Sequence, residues 1–160
     1  MQEDDEMRIY CCRPISGGSA DEVFEYYERI RGVLGALGYE VLTPLHDRDV
    51  LRCNKDLRAA DCRSPLSTNH AIFNRDRWMV RRSHVVFANL LGATAVSIGA
   101  TMELAWAADR GKHVVACMEE GNIHRHAFIL EAAALTFATE DETLTYLGKL
   151  IANAGGAGKP

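Results

Sequence analysis

Three stretches of this chain bring together residue types able to do chemistry. The first is YCCRPISGG, Tyr10 to Gly18. Glycines between a strand and a helix let backbone N–H groups approach an anion, and a helix start favours negative charge. Ser16 and Ser19 add hydroxyl donors and Arg13 adds a cation, so the segment reads as a phosphate cradle or as a plain strand-to-helix turn. The second is SIGATMELAWAADRGKH, Ser97 to His113, with Glu103 in the early turns of an otherwise apolar helix. A carboxylate there is a solvated residue favoured by the helix dipole or a functional group; the dipole favours its ionised form, which suits a nucleophile. The third is FNRDRWMVRRSH, where Asp76 lies among arginines. Taken alone, Asp76 reads as one half of a surface ion pair at i,i+3 or i,i+4.

The elements that position these stretches follow from periodicity. Arg8 to Cys12 reads as a first strand, with Cys11 and Cys12 on opposite faces. Ser19 and Glu22 have the spacing of a capping box, and Val23, Tyr27, Ile30, Leu34 and Leu37 recur at helical intervals up to Gly38. A short strand over Tyr39–Leu42 follows. Residues 44–68 show no clean period and read as a functional loop, a lid, or cover for a short helix. The pattern then predicts a helix over Asn69–Arg82, a buried strand over His84–Leu90 and a helix over Gly99–Arg110 stopped by Gly111. After these come a buried strand over His113–Met118, a short helix over His124–Ala134 and a last strand over Leu135–Ala138. Thr139 and Glu142 form a second capping box, opening a helix with Leu144, Leu147 and Ile151 inward. Five strands alternating with helices predict an α/β fold, a parallel sheet covered on both faces. Ligands bind at the carboxyl ends of such strands.

The chain has 160 residues, enough for one domain, expected over 7–154 with flexible termini at 1–6 and 155–160. A formal net charge of −4 argues against a protein that grips nucleic acid. No apolar run reaches the ~20 residues that span a bilayer, and MQEDDE lacks the basic start and apolar stretch of a signal peptide. The expected location is the cytoplasm. Cys11, Cys12, Cys53, Cys62 and Cys117 form no CxxC pair and read as buried reduced thiols. His124 and His126 lack a third nearby ligand, so no metal is expected.

IYCCRPISGG, FNRD and SIGATMELAWAADRGKHVV, in that order and spacing, resemble the nucleoside 2-deoxyribosyltransferase family and its hydrolase relatives, from about Arg8 to Ile129. The resemblance implies a flavodoxin-like three-layer sandwich with a five-stranded parallel sheet, working as a homodimer or higher oligomer with shared active sites. It implies that Glu103 attacks C1′ of the sugar, that Asp76 handles the proton of the departing base, and that Tyr10 positions the nucleophile. One ionised carboxylate and one proton donor are what retaining glycoside cleavage needs. Six residues before the nucleophile, transferases of this kind carry an acidic residue that holds a 5′-hydroxyl; here the position is Ser97. A hydroxyl can donate to a 5′-phosphate that a carboxylate would repel. The site therefore resembles most the branch that cleaves (deoxy)nucleoside 5′-monophosphates, with Arg13, Ser16, Gly17, Gly18 and Ser97 as the phosphate cradle and Gly99 as a further substrate-binding residue. Alignment with the family points to His126, with Asn122 and His124 as alternatives, as the residue a neighbouring subunit inserts. His84 stands where many members have aspartate. His46 reads as a sugar- or base-facing residue or a solvated one, and Trp78 as core or as cover for the base.

The expected activity is hydrolysis of the N-glycosidic bond of a nucleoside monophosphate, through a glycosyl-enzyme on Glu103 and without cofactor. The alternatives are a deoxyribosyltransferase exchanging bases, and a non-catalytic nucleotide sensor. The expected partners are the nucleotide and a second copy of the chain, with neither nucleic acid nor membrane.

Overall fold

The computed structural model describes residues 6–15, 19–45, 65 and 68–156. The elements run β1 (Arg8–Cys12), α1 (Ala20–Ala36), β2 (Glu40–Leu42), α2 (Asn69–Arg82), β3 (Val85–Asn89), α3 (Ile98–Asp109), β4 (His113–Cys117), α4 (Ala127–Ala132), β5 (Leu135–Phe137) and α5 (Glu140–Gly156). All strand pairs are parallel, in the order β2-β1-β3-β4-β5. This is the flavodoxin-like order, and its switch point lies between β1 and β3, where the chain turns from building one edge to building the other.

Alternation along the strands sorts the core into two layers. Ile9, Cys11, Val85, Phe87, Val115 and Cys117 pack with Val23, Tyr27, Ile30 and Leu34 of α1 and Leu147 of α5. Tyr10, Cys12, Val86, Ala88, Val114 and Ala116 face the other way, against Met79 and Val80 of α2 and Ala100, Leu104 and Ala107 of α3. Register places Cys12 beside Ala88 and Ala88 beside Ala116. Small side chains in that row near the carboxyl ends of the strands let α3 lie close to the sheet.

The second capping box forms as the sequence predicts. The Thr139 hydroxyl donates to Glu142 Oε2 at 2.9 Å, and the Glu142 N–H donates back to Thr139 Oγ1 at 3.2 Å. The first does not. Ser19 is the N-cap of α1 in extended conformation but makes no side-chain cap bond. Gly38 follows the end of α1 with φ +104°, where a side chain would be strained. β2, β3, α3, β4 and β5 differ from their predicted bounds by one residue at one end or both, α4 is shorter than His124–Ala134, and α5 carries helix to Gly156, into the tail expected to be loose. Residues 46–64 lie outside the described residues, as do 1–5 and 157–160, and with them most of the irregular stretch and of the two tails. Among the described residues, no helix is long and apolar enough to cross a membrane.

Candidate active site

β1 ends at the switch point, and its second face brings Tyr10 and Cys12 under α3. The Tyr10 hydroxyl donates to Glu103 Oε1 at 2.7 Å. Tyr10 is fully buried and Glu103 is 7% exposed, so a carboxylate sits in the apolar layer with a phenol as its partner. Burial, then the charges of Glu103 and Asp76, push the Tyr10 hydroxyl well above the ordinary phenol range. It stays protonated and donates. Burial, followed by the nearby Glu103 charge, pushes the Cys12 thiol up in the same way. Glu103 lies in the second turn of α3, counted from the cap at Ser97. The helix dipole acts over the first turn, so the Tyr10 hydroxyl, more than the dipole, holds the carboxylate.

Asp76 differs from its surface reading. It is 8% exposed on the inner side of α2, and it forms an ion pair with the adjacent Arg75. Arg75 reaches Asp76 Oδ1 with Nε at 3.3 Å and Nη2 at 3.1 Å, and Nη2 also donates to the Pro44 carbonyl at 3.1 Å. One guanidinium thus fixes the carboxyl group of Asp76 against the segment that follows β2. Tyr10, Glu103, Asp76 and Cys12 form one buried, electrostatically linked group.

Ser97 caps α3, its Oγ accepting from the Ala100 N–H at 3.3 Å, which leaves the hydroxyl proton to donate elsewhere. The Ser97 N–H donates to His124 Nε2 at 2.8 Å. On the other side of that ring, Nδ1 lies 3.1 Å from Asn122 Oδ1, and Asn122 Nδ2 donates to the Leu90 carbonyl at 2.6 Å. His124 is therefore neutral with its proton on Nδ1, and burial lowers its pKa. Gly99, exposed in the first turn of α3, has open space where a Cβ would stand, so a ligand can approach the helix start. Arg13 lies just beyond β1 with its guanidinium 4.4 Å from the centre of the Tyr26 ring.

Asn122 and His124 are buried and bonded within this chain. His126, the third candidate of that loop, is exposed at the N-cap of α4, where Nδ1 accepts from the Phe128 N–H at 3.3 Å. Trp78 is not core: it is 55% exposed, with the Arg82 guanidinium 4.9 Å from its ring centre. His84 accepts the Arg8 N–H at Nδ1, 3.0 Å away, pinning the start of β3 beside that of β1, far from the carboxyl ends. Ser16, Gly17, Gly18 and His46 lie outside the described residues. Cys11, Cys12 and Cys117 are buried and free, as expected; Cys53 and Cys62 are outside the described residues. No group of three or more metal-ligating side chains occurs among the described residues.

The sequence profile of the family described as nucleoside 2-deoxyribosyltransferase matches residues 9–146. No curated protein sequence matches the chain. Among solved structures, the Clostridium botulinum CMP N-glycosidase BcmB is similar, with a TM-score of 0.53 and 16% identity over 88% of this chain and 97% of that one. At that identity the likeness establishes the fold. A structure described as the structural basis for sirtuin substrate affinity is similar at a TM-score of 0.44 and 14% identity, covering 94% of this chain and 93% of that one, too distant to bear on function.

Proposed function

The chain belongs to the nucleoside 2-deoxyribosyltransferase family, and we propose that within it the protein hydrolyses the N-glycosidic bond of a (deoxy)nucleoside 5′-monophosphate. The observation that carries this reading is the buried carboxylate of Glu103 held at 2.7 Å by Tyr10, with Asp76 acting on the same phenol. Glu103 Oε attacks C1′ as the C1′–N bond breaks, and Asp76, ion-paired with Arg75 at rest and protonated as the nucleotide binds, passes that proton to the departing base. Water then attacks C1′ of the glycosyl-enzyme, giving its proton to Asp76 while Glu103 leaves as a carboxylate. Free base and (deoxy)ribose 5-phosphate result. Asp76 carries both proton transfers and Glu103 the covalent step, so the reaction calls for no cofactor or metal.

The 5′-phosphate is assigned to the start of α3 and the end of β1. There the Ser97 hydroxyl, the first-turn amides of α3 and Arg13 offer donors to an anion, with Ser16, Gly17 and Gly18 completing the cradle. His46 is assigned to the sugar or base. That a solved protein of like fold is a CMP N-glycosidase supports the choice of a monophosphate.

The domain is assigned to 7–154 and the active form to a homodimer. The Ser97–His124 bond joins the loops before α3 and α4, and Val96 and Ile123 on those loops and Ile98 and Phe128 at the helix starts stand exposed, Ile98 to 74% and Phe128 to 81%. So much apolar surface beside a polar site fits a second copy, with His126 of the partner subunit reaching the substrate. Light scattering that returns a monomer at working concentration overturns the dimer.

The activity is tested by chromatography of the protein with each nucleoside and each monophosphate, with and without a second free base. Base release from a monophosphate, indifferent to acceptor and lost in Glu103→Ala, is the expected result. A new nucleoside formed only with acceptor makes the protein a transferase. Nucleotide binding without turnover makes it a sensor.

A further inference from the structure

A chain of hydrogen bonds joins the loop after β4 to the start of α3, and its direction is fixed from one end. The Asn122 amide donates from Nδ2 to the Leu90 carbonyl at 2.6 Å; a carbonyl oxygen can only accept, so Oδ1 points the other way. That Oδ1 accepts the His124 N–H at 2.9 Å and lies 3.1 Å from His124 Nδ1, which must therefore carry the ring proton. Nε2 is left as an acceptor and takes the Ser97 N–H at 2.8 Å. Asn122 and His124 are both buried, so water does not stand in for either. Ser97 is held from its other side as well. Its carbonyl accepts the Thr101 N–H at 3.0 Å and the Thr101 hydroxyl at 2.8 Å, and its Oγ accepts the Ala100 N–H at 3.3 Å. These bonds use every polar group of Ser97 except the hydroxyl proton. Between the two ends, Glu119 accepts the Gly92 N–H at 3.3 Å, so the segment from Leu90 to Ser97 is tied to the loop after β4 at three points.

We propose that Asn122 and His124 are positioning residues that set a preference for a 5′-phosphate, by holding Ser97 so that its hydroxyl proton is the donor it presents at the start of α3. The proposal rests on the monophosphate reading of that site. Without an acceptor, the Ser97 N–H would find one by rotating its peptide or by drawing in water, because a buried donor left unpaired is costly. Either change moves the hydroxyl and loosens the cap. A donor bond to a phosphate oxygen is charge-assisted and weakens steeply as its geometry worsens. A 5′-hydroxyl makes only a neutral bond there, so the same displacement costs a nucleoside less. The relay therefore acts on selectivity more than on the chemical step at Glu103. Support has to reach past the residues that touch a ligand for such geometry to hold. A role in folding alone would weaken both substrates alike.

The test measures binding by calorimetry in a Glu103→Ala background, with the common (deoxy)nucleoside 5′-monophosphates and their matching nucleosides as probes. His124→Phe keeps a ring and removes the acceptor. Affinity for the tightest monophosphate then falls roughly 10-fold, and that for its nucleoside less than about 2-fold. His124→Gln, whose amide oxygen accepts from the place of Nε2, restores most of the loss. Asn122→Ala keeps the ring but frees its tautomer, so monophosphate affinity falls in the same direction, roughly 3-fold. Where a melting curve shows His124→Phe unfolded, the alanine and glutamine variants decide. A second measurement needs no ligand. Nitrogen NMR of the ring shows His124 protonated at Nδ1 and bare at Nε2, and the opposite tautomer appears in Asn122→Ala. Equal losses on monophosphate and nucleoside, a glutamine variant no better than phenylalanine, or an Nε2–H tautomer in the unaltered protein each overturns the proposal. Nucleosides that bind where no monophosphate does overturn the monophosphate reading, and the proposal falls with it.

Discussion

The Tyr10 hydroxyl lies 2.7 Å from Glu103 Oε1, a bond between β1 and α3 that spans 93 residues of sequence. Its phenol is held above the ordinary range by burial and by two carboxylates, so it remains a donor across the working pH range. Tyr10→Phe keeps the ring that fills the layer and removes only that donor. A hydrogen bond to a charged group is worth about 1.5–3 kcal/mol, so kcat should fall roughly 10- to 100-fold with KM little changed. Steady-state kinetics on the monophosphate, with a melting curve to show the fold intact, checks this.

Asp76 has a different kind of support. Arg75 spans its Oδ1 and the Pro44 carbonyl with one guanidinium. A lysine has a single ammonium and cannot reproduce that fork. Arg75→Lys should therefore lose about as much kcat as Arg75→Ala, roughly 10-fold, because the proton donor swings free in both. Full rescue by lysine would show that charge alone matters there.

How far the sequence led depends on how local the signal is. The bounds of α2 agree residue for residue with the periodicity of Asn69–Arg82, and the Thr139–Glu142 box lies within four residues. Strand alternation separated Cys11 from Cys12, yet gave no sign that Cys12 meets a helix over ninety residues away. Nothing in the spacing of Asn122 and His124 shows that they tie the loop before α3, because their partners, Leu90 and Ser97, belong to another segment. Trp78 misleads for a related reason: periodicity gives the apolar stripe of α2, but whether a residue at its margin is covered depends on neighbouring elements, and Arg82 leaves this one on the surface. Residue types at Tyr10, Asp76 and Glu103 suggested chemistry only as a set.

His124 makes acid a structural stress. Its ring must accept from Ser97 N–H at Nε2, and burial lowers its pKa. His84 accepts from Arg8 N–H at Nδ1, and its pKa is lowered by burial and by Arg8. A depressed histidine takes up its proton more readily in the unfolded chain. The stability it gives is whole above the ordinary value near 6.5 and is lost as pH falls below it. The melting temperature should thus decline between pH 7 and pH 5, and less steeply in His124→Gln, whose amide stays neutral. Equal slopes would clear His124 of the effect.

Among the described residues the Tyr27 hydroxyl has no hydrogen-bond partner, although the residue is only 2% exposed. A buried unsatisfied polar group costs on the order of 1–3 kcal/mol. Tyr27→Phe removes the cost and keeps the ring, so its melting temperature should rise by a few degrees. A fall in its melting temperature would mean that the hydroxyl finds a partner in solution.

Ser97 separates the monophosphate reading from the nucleoside one. Aspartate caps a helix about as well as serine, so Ser97→Asp should keep the α3 start and cost the fold little. What changes is the charge offered to a 5′-phosphate. Like charges a few ångströms apart in a partly screened site repel by several kcal/mol, enough to lower kcat/KM for a monophosphate roughly 100-fold. An uncharged 5′-hydroxyl meets no such repulsion and gains an acceptor, so turnover of nucleosides should hold or rise. The two substrates, assayed side by side with a melting curve, give opposite shifts if Ser97 faces the phosphate. Parallel losses on both would instead place its role in the helix cap, and the phosphate would have to be sought elsewhere in the site.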